Sequence, residues 1–345
     1  MYQAIITDRD AGQRLDKYLH RILPNAGSGF LYKMLRKKNI TLNDQKATGN
    51  EKVTAGDFIK IYFADETLGK FMAPVYDNGG TEEYIRAYHT IAGVEILYEN
   101  DHVLLADKPF GVLSQKAEKT DISFNEWLIG YLLSSGFLCE EELASFKPSV
   151  CNRLDRNTGG IVLCAKSLRG AQLFGRLLKD RTLHKYYQLY VKGHLEKEEL
   201  AEGYLWKDEK HNKVTVVSEE EWRRGAVAGR MGGFQKPEYI KTAYRPLRLE
   251  ADKTLLEVEL MTGKSHQIRA HLASLGHPLL GDYKYGDRAW NDIYRRKYQV
   301  TSQLLYACKV AFPALDSPFT DISGRIFCAK PPEIFRLVSD ANSCP

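Results

Sequence analysis

Across the first 63 residues, apolar positions recur first at helical spacing and then at strand alternation. Asp16-Lys17-Tyr18-Leu19 through Leu23 predicts a helix that Pro24 stops. Phe30, Leu31, Met34 and Leu35 form a second helical stripe, whose other face carries Lys33, Arg36, Lys37 and Lys38. Ile40 to Asn43 predicts a short strand ending at an Asn-Asp turn. Val53 to Asp57 turns the chain into a further strand over Phe58 to Tyr62.

Residues 66–90 lack periodicity and contain Pro74 and Asp77-Asn78-Gly79-Gly80, the pattern of a partly ordered linker. A larger domain is expected over 91–340. Val94 to Tyr98 and Val103 to Ala106 predict a hairpin, and Trp127 to Leu133 a helix. Ile161 to Ala165 predicts a buried strand and Leu168 to Leu178 an amphipathic helix. Tyr186 to Val191, Ile240 to Leu249 and Leu255 to Leu260 predict strands, and His266 to Leu275 a helix that Gly276 terminates. Helices and strands are interspersed without a βαβ repeat. The expected class is therefore α+β, with a mixed, mainly antiparallel sheet flanked by helices around a central cleft, behind a small N-terminal domain over 1–65. Glu202 to Pro237, with Trp206 and Trp222, reads as an insertion near the sheet edge.

Charge sharpens this division. The 345 residues hold 49 Lys+Arg and 44 Asp+Glu. Residues 1–63 hold 11 and 6 of these, which leaves 38 of each for the rest. The whole excess sits on the N-terminal segment, as in a module that grips polyanions or, equally on charge alone, a basic, well-solvated small domain with no partner. Hydrophobic residues make up 43%, enough for a sizeable core. The six cysteines show no Cys-x-x-Cys spacing and are expected to be free thiols in a reducing cytoplasm. Asp8, Arg9 and Asp10 stand where a signal peptide needs an apolar run, and no stretch reaches membrane-span length.

Three clusters could carry chemistry. In Asn152-Arg153-Leu154-Asp155-Arg156-Asn157-Thr158-Gly159-Gly160 a carboxylate lies between two arginines, in a turn before a buried strand. Positive neighbours favour its ionised form, and an ionised carboxylate can serve as nucleophile or general base. The plainer reading is a salt-bridged turn residue. In His184 to Gly193, strand alternation points Lys185, Tyr187 and Leu189 one way and Tyr186, Gln188 and Tyr190 the other. A Tyr facing a cleft can stack on a base or move a proton, while Tyr186 and Tyr190 read as ordinary strand aromatics. In Thr262 to His271, continued by Gly276 to Asp282, the chain turns from strand to helix and offers N–H groups to an anion. Gly263-Lys264-Ser265 lacks the upstream glycine of a nucleotide-hydrolase loop. His266, His271 and His277 lack zincin spacing and read as polar packing or RNA contacts.

The N-terminal segment resembles the alpha-L RNA-binding domain. The resemblance rests on Arg14-Leu15-Asp16-Lys17-Tyr18-Leu19, the basic helix, Ile40-x-Leu42-Asn43 and Val53-x-x-Gly56-Asp57-x-Ile59. Asn25 to Gly29 departs from the family's Ser-Arg-Ser-like helix start. The three clusters together resemble the RluA-type pseudouridine synthases of the large-subunit ribosomal RNA branch. The family's Arg-Leu-Asp-x-x-Thr-x-Gly falls on Arg153 to Gly160, its Lys-x-Tyr on Lys185 and Tyr187, and its Thr-Gly-Arg-x-His-Gln-Ile-Arg-x-His on Thr262 to His271. Asp107-Lys108-Pro109-x-Gly111-Val112-Leu113, Leu304 to Ala307 and Pro331-Pro332 match weaker landmarks. Asn152 replaces a usual His, Gly159 a Ser and Lys264 an Arg.

The resemblance implies isomerisation of specific uridines in RNA, with no cofactor and no metal, by a cytoplasmic monomer. Asp155 is the implied catalytic aspartate, acting at the ribose as nucleophile or as base. Arg269 pairs with it. Tyr187 stacks on the uracil and could take the C5 proton. Arg153, Lys185, Lys264, Arg36, Lys37 and Lys38 are the implied RNA contacts. The target lies in ribosomal RNA, with transfer RNA as the other candidate. A non-catalytic RNA-binding or assembly factor is the competing class, and the N-terminal module fits it equally well.

Overall fold

Strand pairing begins at the N-terminus. The computed structural model describes residues 1–8, 10–72, 79–144, 146–208, 213–220 and 237–339. It divides into two compact units: residues 1–108, 112–153 and 162–176, and residues 109–111, 154–161 and 177–345.

The first unit opens with β1 (Tyr2–Ile5), α1 (Leu15–Ile22), α2 (Ser28–Arg36), β2 (Ile40–Leu42), β3 (Gln45–Lys46) and β4 (Phe58–Ile61). The strands form one sheet in the order β1-β4-β2-β3. Both helical stripes are buried against it through Leu15, Leu19, Leu31 and Leu35. Asp16 ties them together: it accepts from Arg14 Nη2 and Tyr32 Oη, each at 2.8 Å. Asn43 and Asp44 both adopt positive φ, so the expected Asn-Asp turn joins β2 to β3.

Two helices occupy the stretch expected to be a linker, of which residues 73–78 lie outside the described residues. Leu68 and Phe71 of α3 (Asp65–Phe71) join the N-terminal core, so that core continues past residue 65. Helix α4 (Gly79–Thr90) packs on α5 (Phe124–Ser134) through Tyr88, Trp127 and Tyr131. A Cβ on Gly130 would lie 2.0 Å from the Tyr84 carbonyl oxygen, so only glycine permits this approach. An aromatic stack across one glycine leaves no aliphatic stripe to read in the sequence. Between these helices β5 (Glu95–Glu99) and β6 (Val103–Lys108) form the expected hairpin.

Strand β7 (Ser149–Val150) pairs with β8 (Gly159–Ala165), which begins in the second unit and ends in the first. After α6 (Leu168–Asp180) the second unit is built on β9 (His184–Lys192), β10 (Glu199–Asp208), β11 (Lys213–Val217), β12 (Glu238–Leu249) and β13 (Lys253–Leu260). These are followed by α7 (Gln267–Ser274), α8 (Arg288–Tyr298), β14 (Leu305–Ala311), β15 (Ile326–Cys328) and α9 (Ile334–Leu337). Its strands run in the order β11-β10-β12-β13-β9-β14, and β14 then pairs in parallel with the start of β8. The ladders from β11 to β14 are antiparallel, giving the expected mixed, mainly antiparallel sheet.

Within the stretch read as an insertion, β10 and β11 form the sheet edge. Trp206 lies on β10, while residues 209–212 and Trp222 lie outside the described residues. Gly276, at φ 87°, ends α7 as expected. Five cysteines are free thiols; Cys344 lies outside the described residues. No helix among the described residues is long and apolar enough to cross a membrane.

Candidate active site

Asp155 sits in the turn that feeds β8. The Thr158 N–H donates to the Asp155 carbonyl at 3.0 Å and closes that turn. The two following glycines let the chain run against β14. A Cβ on Gly160, at φ 110°, would lie 2.3 Å from the Ala307 carbonyl oxygen, and one on Gly159 would press on the Phe110 ring at 2.9 Å. The paired glycines therefore fix where the aspartate emerges from the sheet.

The Asp155 side chain is 29% exposed, and Arg269 Nη1 donates to its Oδ2 at 2.9 Å. Arg269 stands on α7, and its other two guanidinium nitrogens are each engaged. Nε and Nη2 reach the two oxygens of Asp282 at 2.7 and 3.0 Å. Asp282 is fully buried and also accepts from the backbone N–H of Lys284 at 2.9 Å and Tyr285 at 3.1 Å. Its backbone is held by Asn291, whose amide donates to the Asp282 carbonyl at 2.9 Å and accepts from the Gly281 N–H at 2.8 Å. A bidentate, buried carboxylate thus fixes the guanidinium plane, and the guanidinium fixes Asp155.

Burial alone would raise the Asp282 carboxyl. The hydrogen bonds and charge of Arg269, with the Lys284 and Tyr285 amides, outweigh it and hold the group below its ordinary 3.8. A carboxyl depressed in the folded state contributes stability at pH values above its ordinary value and loses it as pH falls through the folded value. Unfolding free energy is therefore expected to decline as pH drops below 3.8, and Asp282→Asn to flatten that decline. Denaturant titrations across that range check this, and an identical pH slope in the variant would contradict it.

His266 and Tyr285 complete the surroundings of Asp155. His266 takes a left-handed φ of 53° just before α7, which places Nε2 at 3.9 Å from Asp155 Oδ2. Burial lowers the imidazole below 6.5; the Asp155 charge opposes this, and Arg269 and Lys284 reinforce it. The ring is neutral at neutral pH. Its Nδ1 lies 2.8 Å from Tyr285 Oη, which accepts the Val214 N–H at 3.0 Å. Burial also raises the Tyr285 phenol, leaving it a proton to donate. Donation to Nδ1 puts the imidazole hydrogen on Nε2, facing Asp155.

Tyr187 is buried on β9, within electrostatic reach of Asp155. Burial, then the Asp155 charge, pushes its phenol well above the ordinary tyrosine value. It is therefore a neutral phenol at neutral pH, whereas taking a C5 proton requires the phenolate. Of the paired strand aromatics, Tyr190 is structural, with Oη 2.9 Å from Arg248 Nη2.

The other sequence-derived residues fall in different settings. Lys185 is half-buried, with Nζ 3.7 Å from where a Gly263 Cβ would stand. Among the described residues no carboxylate pairs with it, and burial lowers its ammonium below 10.5. Lys264 Nζ is ion-paired with Glu238. The Lys264 N–H, expected to be free for an anion, donates instead to Gln267 Oε1 at 3.1 Å. Arg153 and Arg156, the flanking cations in the sequence, are exposed; the partner of Asp155 is Arg269, 114 positions away. Arg36, Lys37 and Lys38 are exposed at the end of α2 in the first unit. Asp282 stood at the end of the third cluster without a role, and Tyr285 escaped sequence reasoning, since a buried loop carries no periodicity. Among the described residues no group of three or more His, Cys, Asp or Glu is arranged to hold a metal.

A family model described as RNA pseudouridylate synthase matches residues 102–274, the stretch that holds Asp155, Tyr187 and Arg269. The chain belongs to the RNA pseudouridylate synthase family. These enzymes are isomerases that convert uridine to pseudouridine in RNA, and RNA is the partner of this chain. Ribosomal large subunit pseudouridine synthase C of Vibrio cholerae is 28% identical over 312 residues, covering 90% of this chain and 88% of that protein. The synthase C of Rickettsia felis is 30% identical over 280 residues, covering 80% and 82%. Two solved human structures share the fold. RNA Pseudouridylate Synthase Domain Containing 4 aligns at a TM-score of 0.52 and 20% identity, over 74% of this chain and 94% of that one. Domain Containing 1 aligns at 0.50 and 19%, over 70% and 84%.

Proposed function

We propose that this pseudouridine synthase acts on large-subunit ribosomal RNA, with Asp155 as its catalytic carboxylate. The observation that carries the assignment is the Asp155–Arg269–Asp282 chain: one partly exposed carboxylate held by an arginine that a buried carboxylate grips through Nε and Nη2. Such an arrangement presents an ionised, oriented oxygen to a substrate. The target nucleotide leaves its stack to reach it.

In the isomerisation the ribose C1′–N1 bond breaks, the uracil turns, and a C1′–C5 bond forms. The C5 proton is lost and N1 gains one, so no oxidant or reductant is needed. Asp155 acts at the sugar, either on C1′ or on a neighbouring ribose proton. Arg269 keeps it aimed. Tyr187, a neutral phenol beside Asp155, stacks on the uracil; passing its own proton to N1 leaves the phenolate that takes the C5 proton in the last step. The half-buried Lys185 ammonium, which pairs with no carboxylate among the described residues, contacts a phosphate of the flipped nucleotide, and Lys264 contacts a phosphate beside it; Arg153, Arg36, Lys37 and Lys38 are further RNA contacts. Residues 1–65 serve as the RNA-gripping module and 91–340 as the catalytic domain. The ribosomal relatives favour ribosomal over transfer RNA. A cytoplasmic monomer fits this reading.

Tyr187→Phe is expected to keep RNA affinity within about two-fold and to lose roughly 10²- to 10⁴-fold in turnover if the hydroxyl moves a proton. A loss under about ten-fold assigns Tyr187 to packing alone. Pseudouridine yield per RNA bound distinguishes these outcomes. Mapping the pseudouridines that disappear from total RNA on deletion of the gene tests the substrate, and disappearance confined to transfer RNA would overturn the ribosomal assignment.

A further inference from the structure

Residues 283–299 hold five Lys+Arg and two Asp, while the stretch 64–345 that contains them is balanced at 38 of each sign. The surplus is concentrated on α8. This helix is anchored by the buried residues Trp290, Asn291 and Tyr294; Trp290 Nε1 and Tyr294 Oη both donate to Asp252 at 2.7 Å. The outward side carries Arg288, Arg295 and Arg296, with Lys297 at its edge, all exposed. Among the described residues, none of the four forms an ion pair with a carboxylate. Beside them Ile293 is 53% and Tyr283 38% exposed.

Cations in a last helical turn complement the helix dipole, which accounts for Arg295, Arg296 and Lys297 individually. It does not account for Arg288, which opens the helix where a positive charge is unfavourable. Nor does it account for the exposed aromatic and aliphatic side chains, which suit nucleotide surfaces rather than water.

Helix α8 is also wired to the site. Asn291 clamps the Gly281 N–H and the Asp282 carbonyl, and Asp282 holds Arg269 against Asp155. Lys284, between Asp282 and the helix, lies within electrostatic reach of Asp155.

We propose that the outer face of α8 is a second RNA-docking surface. It grips the phosphates of substrate RNA beyond the target nucleotide through Arg288, Arg295 and Arg296, with Tyr283 and Ile293 against the sugar and base surfaces. The proposal rests on RNA being the substrate. The Asn291 clamp makes the grip rigid with respect to Asp155, so that docking sets which uridine arrives.

The test uses the full chain and a structured ribosomal RNA fragment. The triple variant Arg288→Ala, Arg295→Ala, Arg296→Ala is expected to bind about ten-fold or more weakly near 150 mM salt. Its log K against log salt should be shallower by about 2 to 3, roughly one for each phosphate that the variant no longer neutralises. A photo-crosslinker at Ile293 should label the RNA. An unchanged salt slope, or no crosslink at Ile293 under conditions where the RNA is bound, overturns the proposal. Both readouts are binding measurements. Absence of pseudouridine in the wild-type reaction would instead count against the catalytic reading and leave the docking result interpretable.

Discussion

Asp155→Asn is expected to lower pseudouridine formation by at least about 10⁴-fold while leaving the fold intact. The substitution is isosteric and keeps an oxygen that can accept from Arg269 Nη1. Arg269 retains its bidentate anchor on Asp282, so no buried cation is orphaned. What disappears is the negative charge, and with it both routes by which the residue could act at the ribose. An amide neither attacks C1′ competently nor removes a ribose proton. Thermal and denaturant midpoints close to wild type, beside abolished activity, are the combined result to expect.

Asp282→Ala should have the opposite balance, acting first on stability. Arg269 is only 8% exposed at its side chain, and Asp282 supplies two of its three hydrogen bonds while also accepting from two backbone amides. Removing the carboxylate leaves a buried guanidinium with Asp155 as its remaining ionic partner, and two N–H groups without an acceptor. Breaking a buried pair in this way costs about 3–5 kcal/mol. Equilibrium unfolding in urea should show a loss of that size, and activity should fall with it because Arg269 no longer holds one orientation. A loss under about 1 kcal/mol would mean that Asp282 does not anchor the site.

Much of this architecture could be read from the sequence wherever one physical signal dominated. Strand alternation placed Lys185 and Tyr187 on one face, and Gly276 marked the end of α7. The basic stripe on α2 was readable because helical spacing separates it from Leu31 and Leu35. Other features depended on contacts across long sequence separations. Helix α4 packs through aromatic rings over Gly130 rather than through an aliphatic stripe. Helix α8 carries so much charge that its buried Trp290 and Tyr294 do not stand out as a pattern. Arg153 and Arg156 flank Asp155 in sequence, yet the cation that holds it comes from Arg269. Asp282 closed the third cluster, but its role could not be read there, because it comes from burial and from the arginine that the fold brings to it.

The central claim is that Asp155 carries out an isomerisation in which uracil C5 loses its hydrogen. Tritium release from RNA containing 5-tritiated uridine measures that loss directly. The wild-type chain should release tritium in proportion to the pseudouridine formed, and Asp155→Asn should release none above background. Release by Asp155→Asn at the wild-type rate would contradict the account.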